Sequence, residues 1–598
     1  MPKIKKPKFR TKPIPTIGPS PKQSPKKIVT PQKTIGVRKQ TKEKELLKII
    51  PLGGLEEVGR NMTIFEYGND ILIVDMGLMF PNEEMLGIDY VIPDISYLVK
   101  RKEKIRGVVF THGHLDHIGA VPYLLDKLGN PYLYGMPLTM ELLKDRLSEF
   151  RMDRKSKLNT FTVNDNIRIG QFELEFFRVN HNIPDGVGIA IYTPVGLCVT
   201  TGDFKFDYTP VDEKPSDFSK IAKLGGQGVL VAMCDSTSAE KEGHSVSEKK
   251  IGRTLRRIFE TAKGRIIMAT FSSLISRVQQ AINSAHLSGR KIAFCGLSLE
   301  KSVKIAVGLD YLKIPPNTVV SLRQAKNLDP NKVAIVATGS QGQEASALAR
   351  MSRGEHREIK IKKGDTVILS SSPIPGNERS IYNMMDNLFR QGARVFYEKI
   401  MDIHTGGHGH KEDLKLMLSL LKPKHFIPIH GEHHMLVNHA WVGKELGIPN
   451  DNIFIMENGQ ILGVDKKQNA NIQKERAPSG YVMVDGLGVG DIGQVVLRDR
   501  QQMAKDGMFV VIVTINKENG ALIGEPDIVS RGFVYMKGSD KLINEVKNRI
   551  KKIISPSGKK DMPANESYIK SRIRNEVGGY LFKKTERRPM ILPVVIEA

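Results

Sequence analysis

Cysteine is nearly absent: Cys198, Cys234 and Cys295 are the three thiols in 598 residues, and none forms a CxxC pair. That excludes a disulfide framework and a cysteine-based zinc ribbon, and it fits a reducing compartment. No stretch approaches the ~18 consecutive apolar residues of a membrane span. The first residues lack the apolar core of a secretory leader, so the expectation is a cytoplasmic protein with no membrane partner. Acidic residues are missing from positions 1–40, which hold 12 Lys/Arg and 8 of the 32 prolines. Such a segment buries too little apolar surface to fold alone, and its prolines keep it extended. Residues 1–45 therefore read as a disordered basic tail, serving either solubility or the capture of a polyanion such as nucleic acid. A Lys- and Pro-rich composition does not match an organellar transit helix. The chain as a whole has a formal net charge of +25, with 40% hydrophobic and 26% charged residues. That is a globular composition, and the length suggests about three or four domains.

Order is expected from Leu46. Continuous apolar runs at Leu47–Leu52, Ile71–Val74 and Ile105–Phe110 read as buried strands. Residues 121–150 are predicted helical, with a turn near Gly129, and Gly186–Thr200 reads as a hairpin. Residues 248–290 read as helix, strand, helix. Ile292–Cys295, Val333–Ala337 and Thr366–Leu369 are further short strands ending in Gly- or Ser-rich loops, the pattern of a doubly wound α/β unit. Lys466–Ser479 is a polar linker. Beyond it a separate unit is predicted, with strands at Phe509–Val513 and Met590–Ile596 and helices at Ser539–Ile553 and Glu566–Thr585. Gly488, Gly490 and Gly493 spell GxGxxG, but no βαβ context or long following helix supports a nucleotide site, so a turn-rich loop is expected. Alternating strands and helices imply a layered α/β architecture.

The chemistry begins directly after the third of these strands, in Thr111-His112-Gly113-His114-Leu115-Asp116-His117. Alternation puts His112 and His114 on one side of an extended loop, while Asp116 and His117 can turn toward a second point. Imidazole and carboxylate are the donors Zn²⁺ takes.

HxHxDH after a buried strand resembles the metallo-β-lactamase superfamily. Further motifs match in order: His181 in Val179–Asp185, Asp203 in Thr200–Phe204 and His430 in Ile427–Glu432. The resemblance implies two zinc ions per chain, with Mn²⁺ or Mg²⁺ as alternatives. His112, His114 and His181 would hold one ion, and Asp116, His117 and His430 the other, with Asp203 between them. Asp75 is expected to orient the histidine loop. The α/β insert between Asp203 and His430 resembles the β-CASP domain of nucleic-acid-processing members. It implies Asp235 and His408 as catalytic residues: His408 as the acid that protonates the leaving 3′-oxygen, and Asp235 as its hydrogen-bond partner. A substrate-phosphate contact is implied across His404, Thr405, Gly406, Gly407 and His408. Histidine at the last ligand position, His430, goes with members acting on RNA.

Leu55–Met62, Gly202–Asp207, Thr338–Gly342, Ser371–Glu378 and Arg587–Pro593 narrow the resemblance to the ribonuclease J family, from about residue 46 to the C-terminus. The chain departs from the family pattern at Gly406, where serine is usual, and at Leu297–Leu299, where an Arg-Ser-Met run is usual. The implied fold is an αββα metallo-β-lactamase sandwich in two parts, 46–245 and 405–465. A β-CASP domain at 246–404 interrupts it, and a linker at 466–479 leads to a small α/β C-terminal domain at 480–598. The implied activity is 5′→3′ exonucleolytic and endonucleolytic cleavage of single-stranded RNA, 5′-monophosphate preferred, giving 5′-phosphate and 3′-hydroxyl products. Such an enzyme acts in RNA maturation, rRNA included, and in mRNA decay. A homodimer or homotetramer, and association with other RNA-decay proteins, are implied likewise. Two other classes compete: a small-molecule metallohydrolase of lactamase or thioesterase type, and a non-catalytic member of an RNA-degrading assembly. The insert and the basic charge disfavour the first, and the complete ligand set disfavours the second.

Overall fold

The computed structural model describes residues 46–374, 377–486, 488–534, 539–554 and 566–598. The basic tail, and Pro375-Gly376 of the matched stretches, lie outside the described residues. Two sheets stack face to face. The first has eight strands, among them Leu47–Gly53, Met62–Tyr67, Asp70–Val74, Ile105–Val109 and, near its far edge, Gln460–Val464. The second has six, running from His425–Ile429 through Val229–Asp235, Gly196–Thr200, Val187–Thr193 and Phe172–Arg178 to Asn166–Ile169.

The strand period of two explains the layering. Ile71 and Ile73 pack with Leu98, Leu124 and Leu143 of the outer helices. Leu72 and Val74, one residue along, pack with Phe176, Ile189 and Val231 of the other sheet. On the far side Val199, Ala232 and Phe426 meet Leu224, Leu414 and Leu418 from the helices Phe218–Gln227 and Lys411–Leu421. The result is helix, sheet, sheet, helix. Strands buried on both faces need continuous apolar runs, and each aliphatic side chain so buried contributes ~1.5–3 kcal/mol.

This layering places the functional loops. Asp70–Val74 and Ile105–Val109 run parallel in the first sheet. Gly196–Thr200, Val229–Asp235 and His425–Ile429 run parallel in the second. The carboxyl ends of parallel strands are where α/β proteins collect their ligands, and each of these strands is followed at once by a charged or histidine-bearing loop.

Between the second and third of those parallel strands lies an all-parallel five-stranded sheet, with Ile266–Ala269 at its centre. Apolar clusters cover both its faces, as in a doubly wound unit. A final three-stranded sheet, centred on Met508–Ile515, carries the helices Asp540–Ile554 and Glu566–Thr585 on one face.

Four expectations differ from what is found. The segment 121–150 is not all helix, because Tyr132–Gly135 is a strand between two helices. The stretch 466–479 contains the strand Ala470–Arg476, paired with Gln460–Val464 at the sheet edge. Its exposed Lys, Glu and Gln side chains hide the alternation. The unit after residue 480 is not separate, since Tyr481–Asp485 pairs with Tyr90–Pro93 of the first part. A 13-residue helix, Gln494–Asp506, does follow the GxGxxG run, although the flanking pairing is antiparallel and no βαβ unit forms.

Candidate metal centre

Asp75 follows its strand in the left-handed region, at φ 61°, a conformation uncommon for any residue but glycine. Its carboxylate accepts bonds from Thr111 N and Thr111 Oγ1, both at 2.9 Å, and from His117 Nδ1 at 2.8 Å. The strained turn therefore ties the start of the histidine loop to its end. With Nδ1 donating to Asp75, Nε2 is the nitrogen that His117 presents inward. His430 sits at φ 54° between strand His425–Ile429 and helix His433–Glu445. Its backbone N donates to Gly54 O at 2.8 Å, and Thr237 Oγ1 lies 2.6 Å from its Nδ1. That leaves Nε2 facing Asp116 Oδ2 at 3.3 Å.

The donor atoms converge in two sets, His112/His114/His181 and Asp116/His117/Asp203/His430. His114 Nδ1 lies 3.1 Å from both His112 Nε2 and His181 Nε2. Asp203 Oδ2 lies 3.3 Å from His117 Nε2 and 3.7 Å from His112 Nε2 and His181 Nε2. Asp203 Oδ1 lies 3.6 Å from His430 Nδ1. Two ligands held ~2.0–2.1 Å from one tetrahedral ion stand roughly 3.3–3.4 Å apart. The separations among the inward-facing atoms, 3.1 to 3.7 Å, bracket that value, and the carboxylate facing both sets is Asp203. The donor set fits divalent metal.

Electrostatics agrees. Burial, reinforced by neighbouring imidazoles, keeps His112 well below the usual histidine range, and burial holds His114 at about 4, so their nitrogen lone pairs are free. Burial also lowers His181. For His430 burial acts downward too, but Asp203, Asp116 and Asp235 outweigh it and hold it at about 10. His117 is raised in the same way by Asp203, Asp116 and Asp75. Burial pushes Asp203 upward, yet the surrounding imidazoles keep it below the carboxylate range. Without metal, then, protons on His117 and His430 balance the carboxylates. Metal binding near pH 7 should displace about two protons, whereas His112, His114 and His181 release none. Calorimetric titration in buffers of different ionisation enthalpy measures this count. Affinity should accordingly rise with pH through the neutral range.

His408 Nδ1 lies 2.7 Å from Asp235 Oδ2, and the His408 ring is 5.0 Å from that of His181 and 5.4 Å from that of His430. Asp235 closes strand Val229–Asp235 and also accepts from Thr237 N and Thr237 Oγ1. Burial pushes it up, but His408 and His430 outweigh that and keep it well below the carboxylate range. Asp203, Asp235, His408 and His430 also form a third convergent donor set.

The loop before His408 is partly buried. His404 and Thr405 are buried, and Thr405 Oγ1 donates to Val246 O at 3.0 Å. His404 Nδ1 has no hydrogen-bond partner among the described residues, and burial holds the ring at about 3. Gly407 O lies 2.8 Å from His181 Nδ1 and orients that ring. A Cβ on Gly407 would come within 2.4 Å of the His181 ring, whereas one on Gly406 meets open space. Gly407→Ala should therefore push His181 out of its set. Displacements of about 1 Å cost on the order of 10² in rate, so cleavage should fall by about that factor and metal content should drop; Gly406→Ala should leave metal content unchanged.

Two further polar side chains, Asn61 and Thr237, complete the surroundings of the donor sets. Asn61 Nδ2 donates to Asp116 O at 3.2 Å and lies 3.2 Å from His117 Nε2. Thr237 joins His430 to Asp235. Each is a single polar residue with no charge or periodicity to mark it in the sequence. His244, His286, His356, His410, His425, His433, His434 and His439 belong to none of the donor sets.

Comparison with known proteins gives four matching families along the chain. They are the metallo-beta-lactamase superfamily at residues 55–232, the ribonuclease J beta-CASP domain at 263–388, the Zn-dependent metallo-hydrolase RNA specificity domain at 394–455 and the ribonuclease J C-terminal domain at 495–598. Ribonuclease J 1 of Streptococcus pyogenes is 42% identical over 548 residues, covering 92% of this chain and 97% of that protein. Ribonuclease J2 of Bacillus subtilis is 40% identical, covering 93% and 99%. Among solved structures, a protein of unknown function from Enterococcus faecalis aligns over 70% of this chain and 100% of its own, at TM-score 0.53 and 15% identity, a likeness of fold alone. With four family matches in this order and two-fifths identity over nearly the whole length, the chain belongs to the ribonuclease J family of metal-dependent ribonucleases.

Proposed function

We propose that the chain hydrolyses RNA phosphodiesters at a centre holding two zinc ions. His112, His114 and His181 take one, Asp116, His117 and His430 take the other, and Asp203 bridges. The observation that carries this is the pair of donor sets meeting at Asp203 beside the His408–Asp235 pair. Divalent ions held by these residues would supply an activated water near neutral pH and offset phosphoryl charge. Imidazole-rich donors favour zinc over magnesium.

The remaining roles fall to side chains. Asp75 fixes His117, and Gly407 O and Thr237 fix His181 and His430. Asp235 accepts from His408 Nδ1–H, so the proton for the leaving 3′-oxygen comes from Nε2. The loop of His404, Thr405, Gly406, Gly407 and His408 meets a substrate phosphate, and Gly406 lets it approach the backbone. The products are a 5′-phosphate and a 3′-hydroxyl, from both 5′→3′ and internal cleavage, in the cytoplasm. The domains we assign are 46–245, 246–404, 405–465 and 480–598, the last joined to the first by the Tyr481–Asp485 pairing, with 466–479 leading to it, and we assign a homodimer or homotetramer.

The test is incubation with single-stranded RNA bearing a 5′-monophosphate, a 5′-triphosphate or a 5′-hydroxyl. Cleavage should be fastest on the monophosphate, should stop with chelator and should return with Zn²⁺ or Mn²⁺. Chelator-resistant cleavage would remove the two-metal reading.

A further inference from the structure

Far along the chain from the histidine loops, helix Gln494–Asp506, helix Glu566–Thr585 and strand Met590–Glu597 enclose a groove of about 680 Å³. Arg498, Arg574 and Arg588 line it, with Asp499 as the only acid among the lining residues. All three arginines are exposed, and none of their guanidinium groups has a carboxylate partner among the described residues. The nearby acids are engaged elsewhere: Glu576 with Arg572, Glu566 with Lys570, and Glu545 with Lys584. The described residues 540–554 and 566–598 hold 12 Lys/Arg against 6 Asp/Glu, so the local field is positive.

Two further features suit a strand of nucleic acid. The Arg588 guanidinium lies 4.3 Å over the ring of Phe582, which is 38% exposed. An aromatic ring and a guanidinium plane are the two surfaces on which an unpaired base stacks. Gly578 and Gly579 lie side by side within the 20-residue helix, where glycine weakens the helix. A Cβ on Gly579 would meet nothing within 4 Å. Packing therefore does not demand the glycine there, and the bare helix surface admits a phosphate close to the backbone.

We propose that this groove is a second RNA-holding site, which takes the phosphodiester backbone of a single strand and one stacked base at a distance from the cleavage chemistry. The guanidinium forks of Arg498, Arg574 and Arg588 bind successive phosphates. Phe582, with Arg588, receives the base. The groove thus retains a long transcript and contributes nothing to the bond-breaking step.

The experiment replaces Arg498, Arg574 and Arg588 by Gln together in the full chain, with a companion variant carrying Lys at the same positions. Binding of a 30-nucleotide single-stranded RNA is measured against salt, and cleavage is measured on a 5-nucleotide substrate. Each phosphate contact on a single strand contributes ~0.7 to the salt slope. The Gln variant should lose about 2 units of slope and roughly 10- to 100-fold in affinity near 0.1 M salt. The Lys variant should keep most of both, and short-substrate cleavage should be unchanged in each. Unchanged affinity in the Gln variant would overturn the proposal. So would equal losses in the Gln and Lys variants, which would make the arginines packing elements. A loss tracking a change of oligomeric mass in the ultracentrifuge would assign the groove to a second copy of the chain and overturn it likewise. Failure of the short-substrate assay in all proteins, wild type included, would instead indict the ribonuclease reading of the metal centre.

Discussion

His114→Ala should abolish cleavage and lower the metal content by at least one ion per chain. His114 is the vertex of its set: its Nδ1 lies 3.1 Å from the facing nitrogens of both His112 and His181. Without it that ion keeps two imidazoles and a share of Asp203, one protein donor short of the wild-type set, and the gap falls at the vertex that holds the two imidazoles together. The rate should fall at least ~10³-fold, because each metal is asked for several kcal/mol of charge stabilisation. The protein should stay soluble, since His114 caps a four-residue helix and belongs to no apolar cluster. Its melting temperature without metal should match that of the metal-free wild type, because the stabilisation removed is that of ligand binding. Elemental analysis and a single-turnover assay decide the matter: two ions and full activity in the variant would remove His114 from the ligand set.

His408→Ala should leave both ions in place and slow cleavage by roughly 10²–10⁴-fold, the usual cost of losing a general acid. The metal content is the discriminating readout. His408 and Asp235 also converge with Asp203 and His430 in a third donor set, and a ligand role would show as lost metal. Asp235→Asn should act in the same direction, because Asn offers a weaker acceptor to His408 Nδ1. The double variant should be no slower than the slower single one, since residues acting as one unit are non-additive. Multiplicative losses would mean that the two act separately. Asp235 also reaches His430 through Thr237, so Thr237→Val should mildly reproduce the Asp235→Asn loss and leave the His408–Asp235 pair intact.

The sequence made some of this centre legible and hid the rest for identifiable reasons. His112, His114, Asp116 and His117 stand within six residues and needed only donor chemistry. His181, Asp203, Asp235, His408 and His430 come from loops scattered over the chain, and only motif resemblance singled them out. Asn61 and Thr237 carry no periodic or charge signal; their roles rest on where the backbone turns. In the fold, fully buried strands such as Asp70–Val74 were plain as apolar runs. Tyr132–Gly135 was not, being four residues between a proline and a helix. Helix Gln494–Asp506 buries a single residue, Leu497, so it has no apolar stripe to read. Ala470–Arg476 is an edge strand exposed along most of its length, and its polar residues resemble a connector.

The order of the parallel strands also sets a timetable for synthesis. The strand ending in Asp235 pairs directly with the strand preceding His430, but the whole five-stranded insert is made between them. At ~5–20 residues per second, roughly ten to forty-five seconds separate the emergence of Asp203 from that of His430. For that interval the ribosome carries a chain with six of its seven candidate ligands and a second sheet lacking its edge strand, and for most of it no His408. The insertion thus makes late completion of the proposed centre a property of topology.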